Sequence, residues 1–572
     1  MKKIRFLISA MLCIGVGSSF AQTLPEIQSS FKEYTSNTLQ EKLYLHTDKN
    51  GYTAGELIWF RIYNVDGMLM KPLKLSKVAY VELLDEKQTP VLQTKIALSA
   101  GAGSGSLYLP ANLSTGNFLL RAYTSWMKNF GPEYYFSKKL TIINPLKSPD
   151  AVPKPAPANY DIQFFPEGGN LLAGVESTIA VKATDQWGKG ANFKGAIINQ
   201  KNDTILRFQS LKFGMGRFNF KPQNNVVCRA VINIDGKIIQ KDLPPVSAAG
   251  YVMGVKDEGD QLRVTVSTNL PGQPVYLFVQ TRGVIDIVQM ANTGNGQAVF
   301  TFGKQKLGEG ISQITVFNSA KQPVCERLFF KMPAKTLAIE ALADAQQYAP
   351  RKKVAVTLST WDKSRNTIDA DLSLSVYRLD SLQHDENEDI LSYLWLRSDL
   401  KGTIEAPSYY FNNITAESSL ALDNLMLTQG WRRFNWSNIL EGKTAAFEFL
   451  PEFNGPIVTG RVINKLNNQP EKDIVAYLGI PGKQVQLYTA KSDPRGKLFF
   501  NMKPFYGQHE IVGQNNTNID TNYRIDILTP FSEEFAAAVL PHPEITTAMK
   551  ATFEEQTIAM QVQNIYNGDK MK

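Results

Sequence analysis

The stretch that spans residues 41–61 reads EKLYLHTDKNGYTAGELIWFR and holds two apolar runs around a turn. Leu43 to Thr47 alternates apolar and polar residues, and a second run opens at Leu57, just after Gly55-Glu56. Alternation with a period of two is typical of a β-strand that buries one face. The stretch therefore predicts two strands joined by a turn.

The same kind of run recurs along the 572 residues. Further examples are residues 118–123, 179–183, 262–266 and 354–358. Many short strands, with no helices alternating between them, favour β-sandwiches over βαβ units. We therefore predict a mostly β protein made of tandem immunoglobulin-like β-sandwiches.

Proline-rich joints divide these strands into pieces, because proline cannot donate a hydrogen bond inside a sheet. Pro145 to Pro157 is the longest joint, and shorter ones contain Pro244-Pro245, Pro333 and Pro451 to Pro456. The predicted division is a signal peptide at 1–21, sandwiches at 22–145, 160–245, 250–332, 335–450 and 451–530, and a C-terminal tail at 531–572.

Two stretches of the fourth piece have helical periodicity instead. Glu388 to Arg397 is the first, and Ala416 to Gln429 is the second, with Thr415 as a cap and Gly430 as a stop. We predict a short helical insertion in the fourth sandwich.

A weak internal repeat supports the division. Tyr52 to Glu56, Leu172 to Glu176 and Tyr348 to Arg351 each form a turn that leads into an apolar strand. Convergent hairpin sequences would produce the same pattern, so the repeat counts as support only.

The N-terminus has the pattern of a secretory signal. Residues 2–5 are basic, Phe6 to Val16 is apolar, and Ser19 to Ala21 places small residues before a cut at Gln22. A membrane anchor would need about 20 apolar residues. We therefore predict an exported protein with no transmembrane segment after signal cleavage.

Charge and cysteine content exclude two classes of protein. The formal charge of +8 is small and scattered, so a nucleic-acid partner is not expected. After signal removal only Cys228 and Cys325 remain, which excludes a disulfide-stapled fold. Buried thiols are favoured for both residues, and one bridge between them stays open.

Residues 41–61 resemble the second macroglobulin domain of the alpha-2-macroglobulin superfamily. The resemblance is carried by Glu41 to Lys49, Tyr52, Gly55-Glu56 and Ile58 to Arg61, and residues 116–123 resemble a closing strand of that sandwich. It implies macroglobulin-like sandwiches. Trp59, Phe60 and Tyr123 suit the core of such a sandwich.

Further segments resemble large envelope proteins of the Bacteroidota. Phe164 to Gly169, Gly214 to Phe218 and Leu427 to Phe434 are typical of that group, while Val458 to Val462 and Ser492 to Phe500 resemble a carboxypeptidase regulatory-like domain. Longer members continue into a domain like the plug of TonB-dependent receptors. The resemblance implies a location in the cell envelope, and it implies that residues 451–530 form a small sandwich without catalytic machinery of its own.

Residues that could perform chemistry form no recognisable constellation. The four histidines lie in different segments, where His46 is interpreted as a strand residue, and neither cysteine begins the Cys-Gly-Glu-Gln thioester of covalent protease traps. The acidic run from His384 to Asp389 is interpreted as a solvated loop before a helix, and Gly101 to Ser106 as a flexible hairpin connection. No catalytic, cofactor-binding or metal-binding residue is predicted, and no cofactor.

One compact cluster combines aromatic and cationic side chains. It consists of Trp431, Arg432, Arg433 and Trp436. Tryptophan and arginine are enriched at the centres of protein interfaces. The competing interpretation is a helix-to-strand corner that packs its tryptophans inward.

These patterns together indicate a non-enzymatic cell-envelope binding or scaffold protein of the periplasm or outer membrane. The expected partners are outer-membrane or periplasmic proteins, with TonB-dependent receptors suggested by the resemblance. One alternative is a macroglobulin-type endopeptidase inhibitor without a thioester, with proteases as partners. A second is a hydrolase whose site the sequence does not reveal.

Overall fold

The computed structural model is mostly β, with 43% strand and 13% helix. It describes residues 23–147, 159–224, 226–380, 382–383, 388–430, 434–443, 447–482, 485–519, 521–537, 540–543, 552–553, 555–559, 561–562 and 565. The predicted signal peptide lies outside them. Unit 1 takes in the described residues of 1–38, 155–374 and 387–444, and unit 2 those of 39–154, 375–386 and 445–572.

Unit 2 begins with a two-sheet sandwich, which follows helix α1 (Thr23–Asn37) of unit 1 in the chain. Its strands are β1 (Glu41–Thr47), β2 (Gly51–Thr53), β3 (Leu57–Asp66), β4 (Val78–Leu84), β5 (Pro90–Ala97), β6 (Ala102–Tyr108), β7 (Gly116–Thr124) and β8 (Phe136–Ile143). One sheet has the order β1-β3-β6 and the other the order β2-β8-β7-β4-β5. The predicted strands at 43–47 and 118–123 are confirmed.

Unit 1 contains a sandwich whose two sheets share one core. Its strands are β9 (Tyr160–Pro166), β10 (Leu171–Leu172), β11 (Ser177–Asp185), β12 (Lys194–Ile198), β13 (Thr204–Gln209), β14 (Met215–Phe220), β15 (Arg229–Ile234), β16 (Lys237–Asp242) and β17 (Val246–Ser247). The sheets β14-β11-β9 and β13-β12-β15-β16 face each other, and the short strands β10 and β17 pair in parallel. Ile179 and Val181 from one sheet pack with Ile197 and Ile232 from the other.

A second sandwich of unit 1 follows directly. Its strands are β18 (Tyr251–Glu258), β19 (Gln261–Thr268), β20 (Pro274–Thr281), β21 (Val284–Asn292), β22 (Gln297–Gly303), β23 (Gly310–Phe317) and β24 (Pro323–Lys331). The sheet β18-β19-β22 faces the sheet β21-β20-β23-β24 across a core that includes Val264, Leu277 and Ile314.

The described part of 335–450 holds one hairpin and three helices. The elements are β25 (Ala338–Ala343), β26 (Val356–Trp361), α2 (Ile390–Trp395), α3 (Ala416–Thr428) and α4 (Trp436–Leu440). Short 3-10 turns occur at Trp126–Asn129, Pro132–Tyr134, Lys304–Lys306, Arg397–Asp399 and Pro407–Tyr410. The two predicted helices are confirmed, while the domain boundaries stay predictions.

A small sandwich of unit 2 follows the helices in the chain. Its strands are β27 (Ile457–Asn464), β28 (Val475–Ile480), β29 (Gln486–Lys491), β30 (Lys497–Asn501), β31 (Val512–Asn515) and β32 (Tyr523–Ile527). The sheets β30-β27-β32 and β29-β28-β31 enclose Val462, Leu478 and Phe500. None of the helices that the structure describes combines the length and apolar composition needed to cross a bilayer.

The turn at the start of unit 2 is held by one carboxylate. Asp48 Oδ1 accepts hydrogen bonds from the Tyr52 hydroxyl at 2.7 Å and from the Trp59 backbone N–H at 3.0 Å. Gly55 has φ of 96°, a left-handed conformation that favours glycine. Asp48 therefore fixes the turn by bonding across it.

The hairpin of β25 and β26 repeats this arrangement. Asp344 Oδ1 accepts from the Tyr348 hydroxyl and, at 3.1 Å, from the Ala355 N–H. Ala343 pairs with Val356, thirteen residues on, as Thr47 pairs with Phe60 in the first hairpin. The predicted similarity of these two segments therefore includes bond pattern and strand register.

Two expectations for the first sandwich are wrong. Trp59 is 53% exposed, because β3 alternates and turns Ile58 and Phe60 inward instead. Gly101 to Ser106 is not a flexible connection, since β6 pairs with β3 through it. Glycine is needed there for close approach: a Cβ on Gly103 would lie 2.6 Å from the Ala97 carbonyl oxygen.

Gly103→Ala is expected to destabilise the protein by about 1–3 kcal/mol, because backbone atoms must shift to admit the methyl group. Gly294 is the matched control, since a Cβ there meets no atom within 4 Å. Gly294→Ala should be neutral or stabilise by up to about 1 kcal/mol through the unfolded chain. Calorimetric unfolding of both variants measures the difference, and equal midpoints would contradict the packing argument.

Candidate functional site

The outer face of the sheet β2-β8-β7-β4-β5 carries polar and aromatic side chains that are nevertheless buried. Tyr80 and Glu82 of β4 lie opposite Tyr123 and Arg121 of β7. Glu82 is 0% and Arg121 3% exposed. All seven residues of β4 are buried, because both faces of the sheet are covered.

Glu82 is the centre of a closed hydrogen-bond network. Arg121 Nε donates to Glu82 Oε2 at 2.6 Å, and the Tyr123 hydroxyl donates to the same oxygen at 2.8 Å. Gln93 Nε2 donates to Oε1 at 2.7 Å. Burial raises the pKa of Tyr123, and the Glu82 charge raises it further, so the phenol stays a donor.

Residues 528–537, here called the strap, cover this face. Arg121 donates to two strap carbonyls, those of Ser532 at 2.6 Å and Glu534 at 2.7 Å. Lys128 Nζ donates to the Pro530 carbonyl at 2.9 Å, and Gln88 Nε2 to the Ala536 carbonyl at 3.1 Å. Side chains of the first sandwich thus bind the carbonyl of every second strap residue, as expected for an extended segment whose alternate residues point one way. Contacts of this kind recognise the backbone and do not depend on which side chains the strap carries.

A few strap side chains add specificity. The Ser532 N–H donates to the Tyr123 hydroxyl at 2.7 Å, and the Tyr135 hydroxyl donates to Ser532 Oγ at 3.1 Å. The Phe531 ring meets the Tyr80 ring edge-on at 5.4 Å, and the Phe535 ring lies 4.4 Å from the Arg121 guanidinium carbon. Two aromatic positions and one serine are therefore recognised besides the carbonyls.

Unit 1 has its own charge network, buried at Arg327 and Glu167 and about one-third exposed at Arg217 and Asp423. Arg327 donates to Glu167 Oε1 at 3.2 Å and to Asp423 Oδ1 at 2.6 Å. Arg217 binds the other oxygen of Asp423. Burial raises the pKa of Asp423, but the two guanidinium groups outweigh this and lower it, so the carboxylate stays ionised.

A cavity of about 850 Å³ in unit 1 lies beside this network. Lys182 Nζ lines it and donates to Gln429 Oε1 at 2.6 Å, and Gln429 Nε2 donates to the Lys401 carbonyl at 2.6 Å. This amide orientation is assigned from its hydrogen-bond partners. Burial lowers the pKa of Lys182, which Asp161 partly opposes. Gln429 therefore fixes the lysine at the cavity wall.

The predicted interface cluster is described at one position only. Trp431, Arg432 and Arg433 lie outside the described residues. Trp436 is fully buried and packs edge-on against Phe278 at 5.1 Å and Phe317 at 4.9 Å. The interface itself stays a prediction.

The acidic run before α2 is described in part, because residues 384–387 lie outside the described residues. Asp389 caps α2 by accepting from the Ser392 N–H at 2.7 Å, and Glu388 pairs with Arg397 at 2.9 Å. Among the described residues, no group of three or more His, Cys, Asp or Glu side chains could hold a metal ion.

The surroundings of the two cysteines and of His46 do not favour catalysis. Cys228 and Cys325 are free thiols, and burial raises the pKa of Cys325 to about 12. His46 is a residue of β1, as expected, and burial followed by the charge of Lys138 lowers its pKa. The thiolate that nucleophilic chemistry requires is therefore disfavoured at Cys325.

Comparison with known proteins finds distant likenesses only. No family model and no curated protein matches the chain. Trypsin-activated alpha-2-macroglobulin from Escherichia coli is 12% identical over 55% of this chain and 26% of its own, with a TM-score of 0.18. Dimeric latent PorU from Porphyromonas gingivalis is 13% identical over 51% of this chain and 33% of its own, with a TM-score of 0.23. Elastase-activated Escherichia coli alpha-2-macroglobulin is 11% identical over 86% of this chain and 43% of its own, with a TM-score of 0.21.

The chain spans less than half the length of each of these proteins. With TM-scores this low, the likenesses identify neither the fold nor the function of this chain.

Sequence reasoning missed the strap and its receptor face. The available signal was the alternation of Tyr80 and Glu82 with Val81 and Leu83, which predicts a strand but assigns the polar face to solvent. The covering segment lies some four hundred residues downstream, so no local pattern points to it.

Proposed function

We propose that the chain is a non-enzymatic, exported binding protein of the cell envelope that holds polypeptide segments against its β-sandwiches. The observation that carries this proposal is the strap, whose carbonyls at 530, 532, 534 and 536 are each bound by a side chain of the first sandwich. Binding of extended main chain on a β-scaffold is a recurrent mode of protein recognition.

The location and partners rest on the sequence. The signal-like N-terminus supports export, and the resemblance of 164–169 and 427–434 to envelope proteins of the Bacteroidota supports an outer-membrane assembly. TonB-dependent receptors are the proposed partners, by analogy of family. The cluster of Trp431, Arg432 and Arg433 is the proposed contact.

An affinity pull-down from mildly cross-linked envelopes tests the proposal. The tagged mature chain is expected to enrich outer-membrane proteins, with TonB-dependent receptors among them. The double variant Trp431→Ala/Arg432→Ala should lower that enrichment at least about tenfold, because such residues dominate interface energies. Arg263→Ala is the control, since Arg263 forms an exposed pair with Glu258.

Two outcomes would count against the scaffold function. Enrichment of no envelope protein above a control bait would refute it. Recovery of proteases, or of the bait in cleaved form, would instead favour the endopeptidase-inhibitor alternative.

A further inference from the structure

Unit 2 encloses a second cavity of about 500 Å³. One wall is the outer face of the sheet β30-β27-β32, with Thr459, Arg461 and Lys497, and the opposite wall includes Lys128 and strap residues 528–534. A volume of this size is typical of small-ligand sites. Lys128, which binds the Pro530 carbonyl of the strap, also lines the cavity.

Cations and carboxylates are distributed unequally around this cavity. The Lys497 side chain is 15% exposed, whereas the Glu448 side chain that pairs with it is 60% exposed. The other lining carboxylates, Glu533 and Glu534, are also exposed. Water and salt screen exposed charges far more than buried ones, so the interior is electropositive.

The lining cations have hydrogen-bonding capacity left over. Arg461 Nε is buried and has no hydrogen-bond partner among the described residues. Lys128 Nζ has three donor protons, and the bond to the Pro530 carbonyl uses one of them. A buried donor without a partner is costly, so a ligand that accepts from it would be favoured.

The pKa of Lys128 reflects its burial and neighbouring charges of both signs. The pKa of Lys128 is lowered to about 8, chiefly by burial; Glu452 opposes this shift, Lys497 and Lys95 add to it, and Glu448 opposes it. Burial also raises the pKa of the Glu452 carboxyl, while its hydrogen bonds to Ile457 and Tyr80 oppose that shift. An anion beside Lys128 would reverse the shift.

We infer that this cavity is a binding site for a phosphate-type oxyanion, held by Arg461, Lys128 and Lys497. Arginine presents paired N–H donors that match phosphate oxygens, and lysine supplies compact positive charge. The anion would be either a free phosphate compound or the phosphate of a lipid headgroup. This inference goes beyond the proposed function, since the scaffold needs no small ligand.

Isothermal titration of the full mature chain with inorganic phosphate and with pyrophosphate, at pH 7 and low salt, tests the inference. Saturable binding is expected, and Arg461→Gln and Lys128→Met should each weaken it at least tenfold. Lys491→Met is the matched control, because Lys491 lies in the same sandwich but pairs with Asp473 at the surface. Circular dichroism checks that each variant is folded. An unresponsive wild type, or equal affinity in all variants, would overturn the site.

The pH dependence gives a second readout that a merely structural role would not move. Because the free Lys128 loses its proton near pH 8, pyrophosphate affinity should fall as the pH rises above that value. Proton uptake on binding at pH 8–9 should appear as a buffer-dependent heat, and should vanish in Lys128→Met. A pH-independent affinity between 7 and 9 would contradict the assignment of Lys128.

Vesicles separate the two sources of phosphate. Binding to phosphatidic acid vesicles, with none to phosphatidylcholine vesicles, would assign the lipid headgroup when Arg461→Gln abolishes it. Binding of soluble pyrophosphate alone would assign the free anion. If Arg461→Gln weakens neither pyrophosphate binding nor vesicle binding, the site is refuted. This result is independent of the pull-down, which tests the scaffold function.

Discussion

Arg121→Met is expected to destabilise unit 2 by about 3–5 kcal/mol, the usual cost of leaving a buried charge without its partner. Glu82 is 0% exposed and would lie beside a thioether instead of the guanidinium that now pairs with it. The strap would also lose the donor to two of its carbonyls. Calorimetric or urea unfolding measures the change, and cleavage by chymotrypsin at Phe531 and Phe535 should become at least tenfold faster.

Arg263→Met is the matched control for this result. Arg263 pairs with Glu258 at 3.0 Å, but the two side chains are 45% and 29% exposed. Exposed pairs of this kind contribute about 0–1 kcal/mol. Equal effects in the two variants would mean that the buried network does not hold the strap.

The double variant Glu82→Gln/Arg121→Met separates the two parts of the loss. It removes the unpaired charge and leaves the strap carbonyls without their donor, so it should recover part of the stability. Proteolysis of the strap should stay fast. Full recovery of both properties would show that Arg121 serves Glu82 alone.

The elements that sequence predicts well are those fixed by local patterns. Helix α3 begins at Ala416 as predicted, because Thr415 and Ser418 cap each other reciprocally, at 3.1 Å and 2.8 Å. Strand β1 follows the alternation of 43–47. In both cases the information lies within a few residues of the element.

The features that sequence misses depend on distant partners. β20 and β23 are buried throughout, because α1 and α4 cover the face that alternation would assign to solvent. The strap covers β4 in the same way from residues 528–537. A pattern of period two identifies a strand, but it cannot show which distant segment covers its second face.

Glycine-rich segments show the same limit. Gly101 to Ser106 has the composition of a connection, yet Gly103 and Gly105 lie inside β6. A Cβ at Gly105 would lie 2.9 Å from the Phe60 ring. A high glycine content suggests a flexible loop, whereas here glycine leaves the space that a neighbouring ring needs.

Trp436→Ala is expected to destabilise unit 1 by about 3–5 kcal/mol, the cost of emptying the site of a large core side chain. The Trp436 ring touches Phe31 of α1 at 5.4 Å as well as Phe278 and Phe317. Its loss should therefore loosen α1 as well as the corner at α4. Unfolding measurements give the energy, and hydrogen exchange over 23–37 reports on the helix.

Trp59→Ala is the control, because it makes the same substitution at a half-exposed position of β3, where the loss of the ring leaves no buried cavity. It should cost less than about 1 kcal/mol, as most surface substitutions do. Trp436→Phe should fall in between, since the indole N–H has no partner among the described residues and its removal offsets part of the lost packing. If Trp436→Ala were as mild as Trp59→Ala, Trp436 would not be a core residue and its place in the predicted interface would gain support. If Trp436→Ala unfolds unit 1 but Trp431→Ala does not, the cluster divides into an inward-packing tryptophan and a separate candidate contact.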